Sequence, residues 1–334
     1  MRYIVYGAGA IGGVVGGRLF THGLDVLLIA RGGHLSAIQR CGLTIESPLS
    51  SVTLRMPAVE HPSQTRFHLT EDVVLLATKT QDSARALGEL RNAAGSQISV
   101  VCLQNGVESA RIALRRFERV AGAITILPSA HLQAGIVQAF STPVPGILDV
   151  GRFPAGEDGR LATVSADLRR AGFLSDVRSD ILRWQHGKLL DNLKNVLQAL
   201  CGPDAHYAEV VQEMRAEAEA CYRAAGIPYA PEAELRSRRE GVLNLGNING
   251  VARPGDSSWQ SLARATGSIE TDFLNGEITM LGRLHGIATP INAMVQDLAA
   301  RCAREHRPPA SIPVEDLRRL RRQAANVQGG ERLP

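Results

Sequence analysis

Nowhere in these 334 residues do 18 to 20 apolar side chains follow one another, so no helix able to cross a bilayer is expected, and no membrane partner. Paired cysteines are missing too. The five (Cys41, Cys102, Cys201, Cys221, Cys302) are odd in number and far apart, without a C-x-x-C pair or a His-x-x-x-His spacing. That argues against a zinc site or a disulfide framework and for reduced, buried thiols, so no metal is expected. Charge of one sign is scarce: 37 basic against 33 acidic residues leave +4. The basic excess forms no long stripe, which speaks against a nucleic-acid partner. There is no internal repeat. Met1 to Tyr6 runs straight into Gly7 without the apolar stretch and cleavage site of a secretory signal, so a cytoplasmic location is expected. What is present is ordinary for a folded protein: 44% apolar and 21% charged residues, enough to bury a core, over a length that suggests two domains.

Residues 1–178 alternate short apolar runs with amphipathic ones. Tyr3 to Tyr6, Asp25 to Ala30, Val73 to Thr78, Ile98 to Leu103 and Ala121 to Leu127 read as buried strands. Ile11 to His22 and Arg160 to Ala171 read as helices, with Phe173 to Val177 as a last short strand. Parallel strands need a long crossover, so this alternation predicts a doubly wound α/β domain. From residue 179 to 306 the pattern turns helical: Ile181 to Leu200, Tyr207 to Ala225 and Trp259 to His285 are periodic, and Gly241 to Asp256 reads as a mobile loop. Residues 307–334 read as a basic tail with one short helix, either solvated, loosely docked, or a partner-binding arm.

Gly7-Ala8-Gly9-Ala10-Ile11-Gly12 follows the first strand and opens the first helix. In that context Gly7 permits the tight turn, Gly9 lets the backbone approach a pyrophosphate, and Gly12 lets helix and strand pack closely. Amides at the helix start then face the phosphates. The second strand ends not in the acid that usually binds a ribose 2′-hydroxyl about 20 residues further on, but in Arg31. A guanidinium suits a 2′-phosphate, so the expected cofactor is NADP.

Together with this glycine run and Arg31, several motifs recur in a fixed order: Ala77-Thr78-Lys79-Thr80, Gln104-Asn105-Gly106, Trp184-Gln185-His186-Gly187-Lys188-Leu189, Ser257-Ser258-Trp259, and Ile269-Glu270-Thr271-Asp272-Phe273-Leu274-Asn275-Gly276. In these the chain resembles the ketopantoate reductase (2-dehydropantoate 2-reductase) family over essentially residues 1 to 300. The resemblance implies an N-terminal Rossmann domain and an all-helical C-terminal domain, and NADPH-dependent reduction of a 2-oxo acid to a 2-hydroxy acid. It makes Lys188 the catalytic lysine, an ammonium able to relieve charge on the carbonyl oxygen and deliver a proton. Glu270 completes the site, and Lys188 is its natural partner. Asn192 contacts substrate, although it could equally bond a helix neighbour. Ser258 binds the substrate carboxylate, although Asp256, Ser257 and Ser258 all stand where a helix cap is needed. Lys79 lies near cofactor and substrate, Asn105 near the nicotinamide and substrate, and Ala130 offers a backbone contact to the cofactor.

The chain departs from the family where Val196 and Leu262 replace an asparagine and an aspartate. A different, less polar 2-oxo acid or ketone is therefore an alternative substrate. A catalytically silent NADPH-binding sensor is a further alternative, against which the retention of Lys188 with Glu270 argues. The long apolar helices leave a homodimer possible.

Overall fold

A computed structural model describes residues 1–330. In chain order its elements are β1 (Arg2–Tyr6), α1 (Ala10–Thr21), β2 (Asp25–Ile29), α2 (Gly32–Cys41), β3 (Leu43–Glu46), β4 (Ser51–Leu54), β5 (Ala58–Val59), a 3₁₀ turn (Pro62–Gln64), β6 (Asp72–Leu76), α3 (Thr80–Ala94), β7 (Ser99–Cys102), α4 (Glu108–Leu114) and β8 (Arg119–Ile126). There follow β9 (Ser129–Ala130), β10 (Ile136–Ala139), β11 (Ser141–Pro143), β12 (Ile147–Arg152), α5 (Gly159–Arg170), α6 (Ile181–Asn192), α7 (Asn195–Cys201), α8 (Ala208–Ala225), α9 (Glu232–Arg239), β13 (Leu243–Leu245), α10 (Ser257–Ala263), a second 3₁₀ turn (Glu270–Phe273), α11 (Asn275–His285), α12 (Pro290–Arg304) and α13 (Val314–Gly330).

The chain divides into two compact units, Met1–Gln185 with Pro231–Arg253, and His186–Ala230 with Pro254 onward. The first unit is the doubly wound α/β fold. Its main sheet runs β12-β8-β7-β6-β1-β2-β5, parallel throughout except for the β8–β12 pair. From β1 the chain passes to β2 on one side, and β6 lies on the other, so the order reverses at β1/β6. In such sheets that switch point marks the ligand end. Tyr3, Ile4 and Val5 are fully buried there, as a strand covered on both faces requires. A second sheet, β4-β3-β10-β9, packs against α1.

Residues 231–253 join this unit through a buried ion cluster. Asp149 on β12 is wholly inaccessible and accepts hydrogen bonds from Arg178 Nε (2.9 Å), Arg238 Nη2 (2.6 Å) and the Asp176 amide (2.9 Å). Removing one partner from such a pair typically costs roughly 3–5 kcal/mol, because a charge is left buried and alone. The segment read as a mobile loop, 241–256, is instead partly a strand: β13 pairs antiparallel with β11, Ser141 opposite Leu245. Phe173 to Val177, read as a strand, makes only two bridges, at Leu174 and Val177.

The second unit is helical, its core built from α6, α7, α8, α11 and α12 (Leu189, Leu197, Met214, Tyr222, Ile278, Val295). Two long helices expected from periodicity are broken. Between α6 and α7, the Asn275 side-chain amide donates to the Leu193 carbonyl (3.4 Å), while the Leu197 amide turns to Lys194 (2.9 Å). A side chain inserted into the backbone ladder is a recognised cause of a helix break. The segment 259–285 stops after Ala263, where Ala265 (φ 50°) and Gly267 (φ 78°) take left-handed conformations that a helix cannot contain. The tail is docked as far as residue 321: Leu317 of α13 is fully buried in this core, and Arg321 pairs with Glu213 and Glu209, while residues 331–334 lie outside the described residues.

Candidate active site

The glycine turn after β1 is a piece of backbone geometry. Gly7 has φ +103°, and a Cβ there would lie 2.7 Å from the Thr78 amide nitrogen, so the turns after β1 and β6 touch. A Cβ at Gly12 would stand 2.0 Å from the Gly7 carbonyl oxygen. Gly9 is different. A Cβ there would meet only His131 Nδ1, at 3.8 Å, so open space lies over the turn. Gly9 caps α1 without any side-chain hydrogen bond, and the first turn, from Ala10 and Ile11, holds no acid. Amide donors and the positive end of the helix dipole are thus available to an anion. The Thr78 hydroxyl beside this turn is buried without a partner. These residues fit a dinucleotide pyrophosphate.

Sequence reasoning missed His34 and His131. The Ala8 carbonyl lies 2.8 Å from His34 Nε2, and His34 Nδ1 accepts from the Gly135 amide at 2.9 Å. An amide can only donate, so Nδ1 carries a lone pair and Nε2 the proton: the ring is neutral, and burial holds its pKa below the ordinary 6.5. The His34 and His131 rings meet at a tilt of 48° with centroids 4.1 Å apart. No spacing rule announces this latch, because its partners come from residues 8, 34 and 135.

The other cofactor-side candidates fall as follows. Arg31 lies two residues after β2, at the N-cap position of α2, and 3.8 Å from Asp82. Lys79 is half-buried at the start of α3, and Asn105 half-buried in the turn after β7. Ala130 is fully buried in β9, so only its backbone can serve a ligand. A cavity of about 190 Å³ lined by Val73, Ser99, Arg119 and Leu161 opens at the amino ends of the strands, the edge opposite Gly7, and takes no part in this site.

In the helical unit Lys188 is half-buried on α6, flanked by buried Gly187, Leu189 and Leu190. At the end of α6 the Asn192 side-chain Nδ2 is buried without an acceptor, so it is not spent on a helix neighbour. Asp256 caps α10, accepting from the Ser258 and Trp259 amides at 2.9 Å each, which releases the buried Ser258 hydroxyl from that duty. Glu270 is 6% exposed and opens the second 3₁₀ turn, not a helix interior. Arg264, which sequence reasoning passed over, lies within electrostatic reach of Glu270; burial lowers its pKa and the carboxylate opposes that.

Much of the lysine motif is packing. Trp184 lies under the Arg178 guanidinium (4.1 Å), and Gln185 donates to the Ala123 carbonyl (3.4 Å). His186 meets Tyr222 edge-on, and a Cβ at Gly187 would strike the Ala230 carbonyl at 2.3 Å. Asn275 is structural as well, its amide shared among Asn292, Leu193 and Met214. Val196 and Leu262, the departures from the family pattern, are 1% and 3% exposed in the apolar core.

Family models match both halves: ketopantoate reductase PanE/ApbA over residues 3–154, and its C-terminal counterpart over residues 180–303. The chain belongs to the ketopantoate reductase family. Family members of this kind are oxidoreductases, and the relatives agree in name. A 2-dehydropantoate 2-reductase of Mesorhizobium japonicum is 29% identical over 91% of this chain and 98% of its own. That of Pyrococcus horikoshii is 30% identical over 58% of this chain, a match spanning 61% of the relative's length. Among solved structures, a PanE/ApbA family ketopantoate reductase from Ralstonia eutropha superposes with a TM-score of 0.76 at 27% identity, covering 92% of this chain and 99% of the other. A D-mandelate dehydrogenase solved with NADH and anilino(oxo)acetate superposes at 0.74 with 22% identity, a likeness of fold alone.

Proposed function

We propose that this protein is a cytoplasmic reductase that converts a 2-oxo acid to the 2-hydroxy acid with NADPH, and that 2-dehydropantoate is its substrate. Residues 1–178 would hold the cofactor, and residues 179–306 would supply the groups that act on the substrate. The observation that carries this reading is Lys188: a half-buried ammonium set between buried Gly187, Leu189 and Leu190, a turn away from an amide donor, Asn192, that has no acceptor of its own.

When bound, the reduced nicotinamide supplies a hydride to the carbonyl carbon. As the carbon–oxygen double bond becomes single, the electron pair moves onto oxygen. The Lys188 ammonium offsets that charge and hands over a proton, leaving a neutral amine and a hydroxyl group. Glu270, buried, favours the protonated lysine before the step. Asn192 Nδ2 and the Ser258 hydroxyl donate to the substrate carboxylate and carbonyl. The backbone turn Gly7 to Gly12 binds pyrophosphate, Arg31 the 2′-phosphate, and Lys79, Asn105 and the Ala130 backbone position the nicotinamide half.

A second reading has support of its own. Because Val196 and Leu262 are apolar and buried, no polar group stands at either position to fix a substrate hydroxyl, which favours a less polar 2-oxo acid. One assay decides. Purified protein is mixed with NADPH and a panel of 2-oxo acids while the reduced-nicotinamide absorbance is followed. Turnover of 2-dehydropantoate above all others supports the first reading, and preference for a branched or aromatic 2-oxo acid supports the second. Tight NADPH binding without turnover of any acid defeats both and leaves a cofactor-binding sensor.

A further inference from the structure

We infer that Asp82 shifts the cofactor preference of this protein toward NADH, by partly neutralising Arg31 and supplying, from α3, the ribose-binding carboxylate that the end of β2 lacks. The inference rests on the reading that Arg31 faces the adenosine 2′-position. Around Arg31 the backbone favours an anion: α2 starts at Gly32 with no side-chain cap and no acid in its first turn, and Cβ positions at Gly32 and Gly33 meet nothing within 4 Å. Into this setting α3 brings a carboxylate. Asp82 Oδ2 lies 3.8 Å from Arg31 Nη2, and Oδ1 accepts from Arg85 Nη2 at 3.2 Å. Arg85 donates onward to Glu89 Oε1 at 3.2 Å, and Glu89 also accepts from the Tyr6 hydroxyl and lies 3.8 Å from His61 Nε2. The guanidinium that would select a 2′-phosphate therefore ends a chain of alternating charges, Arg31, Asp82, Arg85, Glu89, that sums to zero.

The consequences for the two cofactors are opposite in sign. A 2′-phosphate brings nearly two negative charges toward Arg31 and so toward Asp82, and like charges at this range repel. A ribose 2′-hydroxyl brings a donor, and Asp82 offers it the acceptor that an acid at the end of the second strand usually provides. Asp82 thus weakens NADPH and helps NADH. Both side chains are substantially exposed (53% and 38%), so the effect is modest and screened by salt.

The test is a fluorescence titration of the full-length protein with NADPH and with NADH, at low and at about 0.5 M salt. In Asp82→Asn the ratio of the NADH to the NADPH dissociation constant should rise about three- to tenfold at low salt, and the gain should shrink at high salt. Arg85→Gln, which leaves Asp82 to Arg31 alone, should move the ratio the other way. An unchanged or reduced ratio in Asp82→Asn overturns the inference, as does a gain that high salt leaves intact. Arg31→Ala separates this from the reading beneath it. If it collapses the ratio while Asp82→Asn leaves it unmoved, only the role of Asp82 fails; if it leaves the ratio unmoved, the assignment of Arg31 itself fails.

Discussion

Under the proposed function the glycine turn of the first unit and the lysine helix of the second would carry chemistry in different ways. In the turn the groups offered are backbone amides, aimed chiefly by six consecutive residues, Gly7 to Gly12. A φ of +103° at Gly7 and a 2.0 Å approach at Gly12 are properties of the local chain. In the helical unit the proposed groups are side chains on α6 and, some seventy to eighty residues later, on α10 and on a 3₁₀ turn, and their placement depends on where each helix stops. Local chemistry is legible from spacing; assembled chemistry is not.

The largest expected effect tests the assembled half. Lys188→Ala should lower kcat by roughly 10² to 10⁴ while leaving the NADPH dissociation constant nearly unchanged. A variant that loses cofactor affinity and keeps its turnover number would reverse the division of labour between the units. Two glycines test the local half against each other. Gly12→Val forces a side chain into the Gly7 carbonyl and should lower thermal stability along with NADPH affinity. Gly9→Val enters open space, so it should keep its melting temperature and lose NADPH affinity, because the side chain fills room the pyrophosphate needs. Equal stability losses in both would mean that the room over Gly9 is ordinary packing space.

The buried strands and the glycine turn could be read because each depends on neighbours in sequence. The errors share one cause. Periodicity reported apolar faces correctly in 181–200 and 259–285 but could not see Asn275 reaching across to the Leu193 carbonyl, nor the left-handed Ala265. Segment 241–256, rich in glycine and asparagine, resembles a loop until β11 supplies a pairing partner a hundred residues earlier. Within the lysine motif, resemblance singled out Lys188, and only coordinates show that Trp184, Gln185, His186 and Gly187 are engaged in packing.

A smaller effect sharpens the same distinction at α10. Asp256→Ala removes a cap bonded to two amides and should cost about 0.5–2 kcal/mol of stability in denaturant unfolding. Ser258→Ala removes a hydroxyl the cap does not use, so stability should hold while KM for the 2-oxo acid rises. If Ser258→Ala instead destabilises as much as Asp256→Ala with KM intact, the serine is structural and leaves the substrate site.

The smallest effect belongs to His34, where the local turn depends on a distant residue. Its folded pKa is lowered below 6.5 by burial, so the folded protein binds this proton less readily than the unfolded chain does. The stabilisation from the neutral ring is therefore full above the unfolded pKa, and is lost as pH falls through 6.5 toward the depressed value. Protonation also places a hydrogen on Nδ1 and breaks the bond from the Gly135 amide, while the bond to the Ala8 carbonyl survives. Urea unfolding at pH 7 and pH 5 should show the wild type losing a few tenths to about 1 kcal/mol more than His34→Leu over that interval, a figure kept low because the ring is only half-buried. Identical pH dependence in the two proteins would mean that the latch on the glycine turn contributes nothing, and that the turn holds its shape by its own six residues.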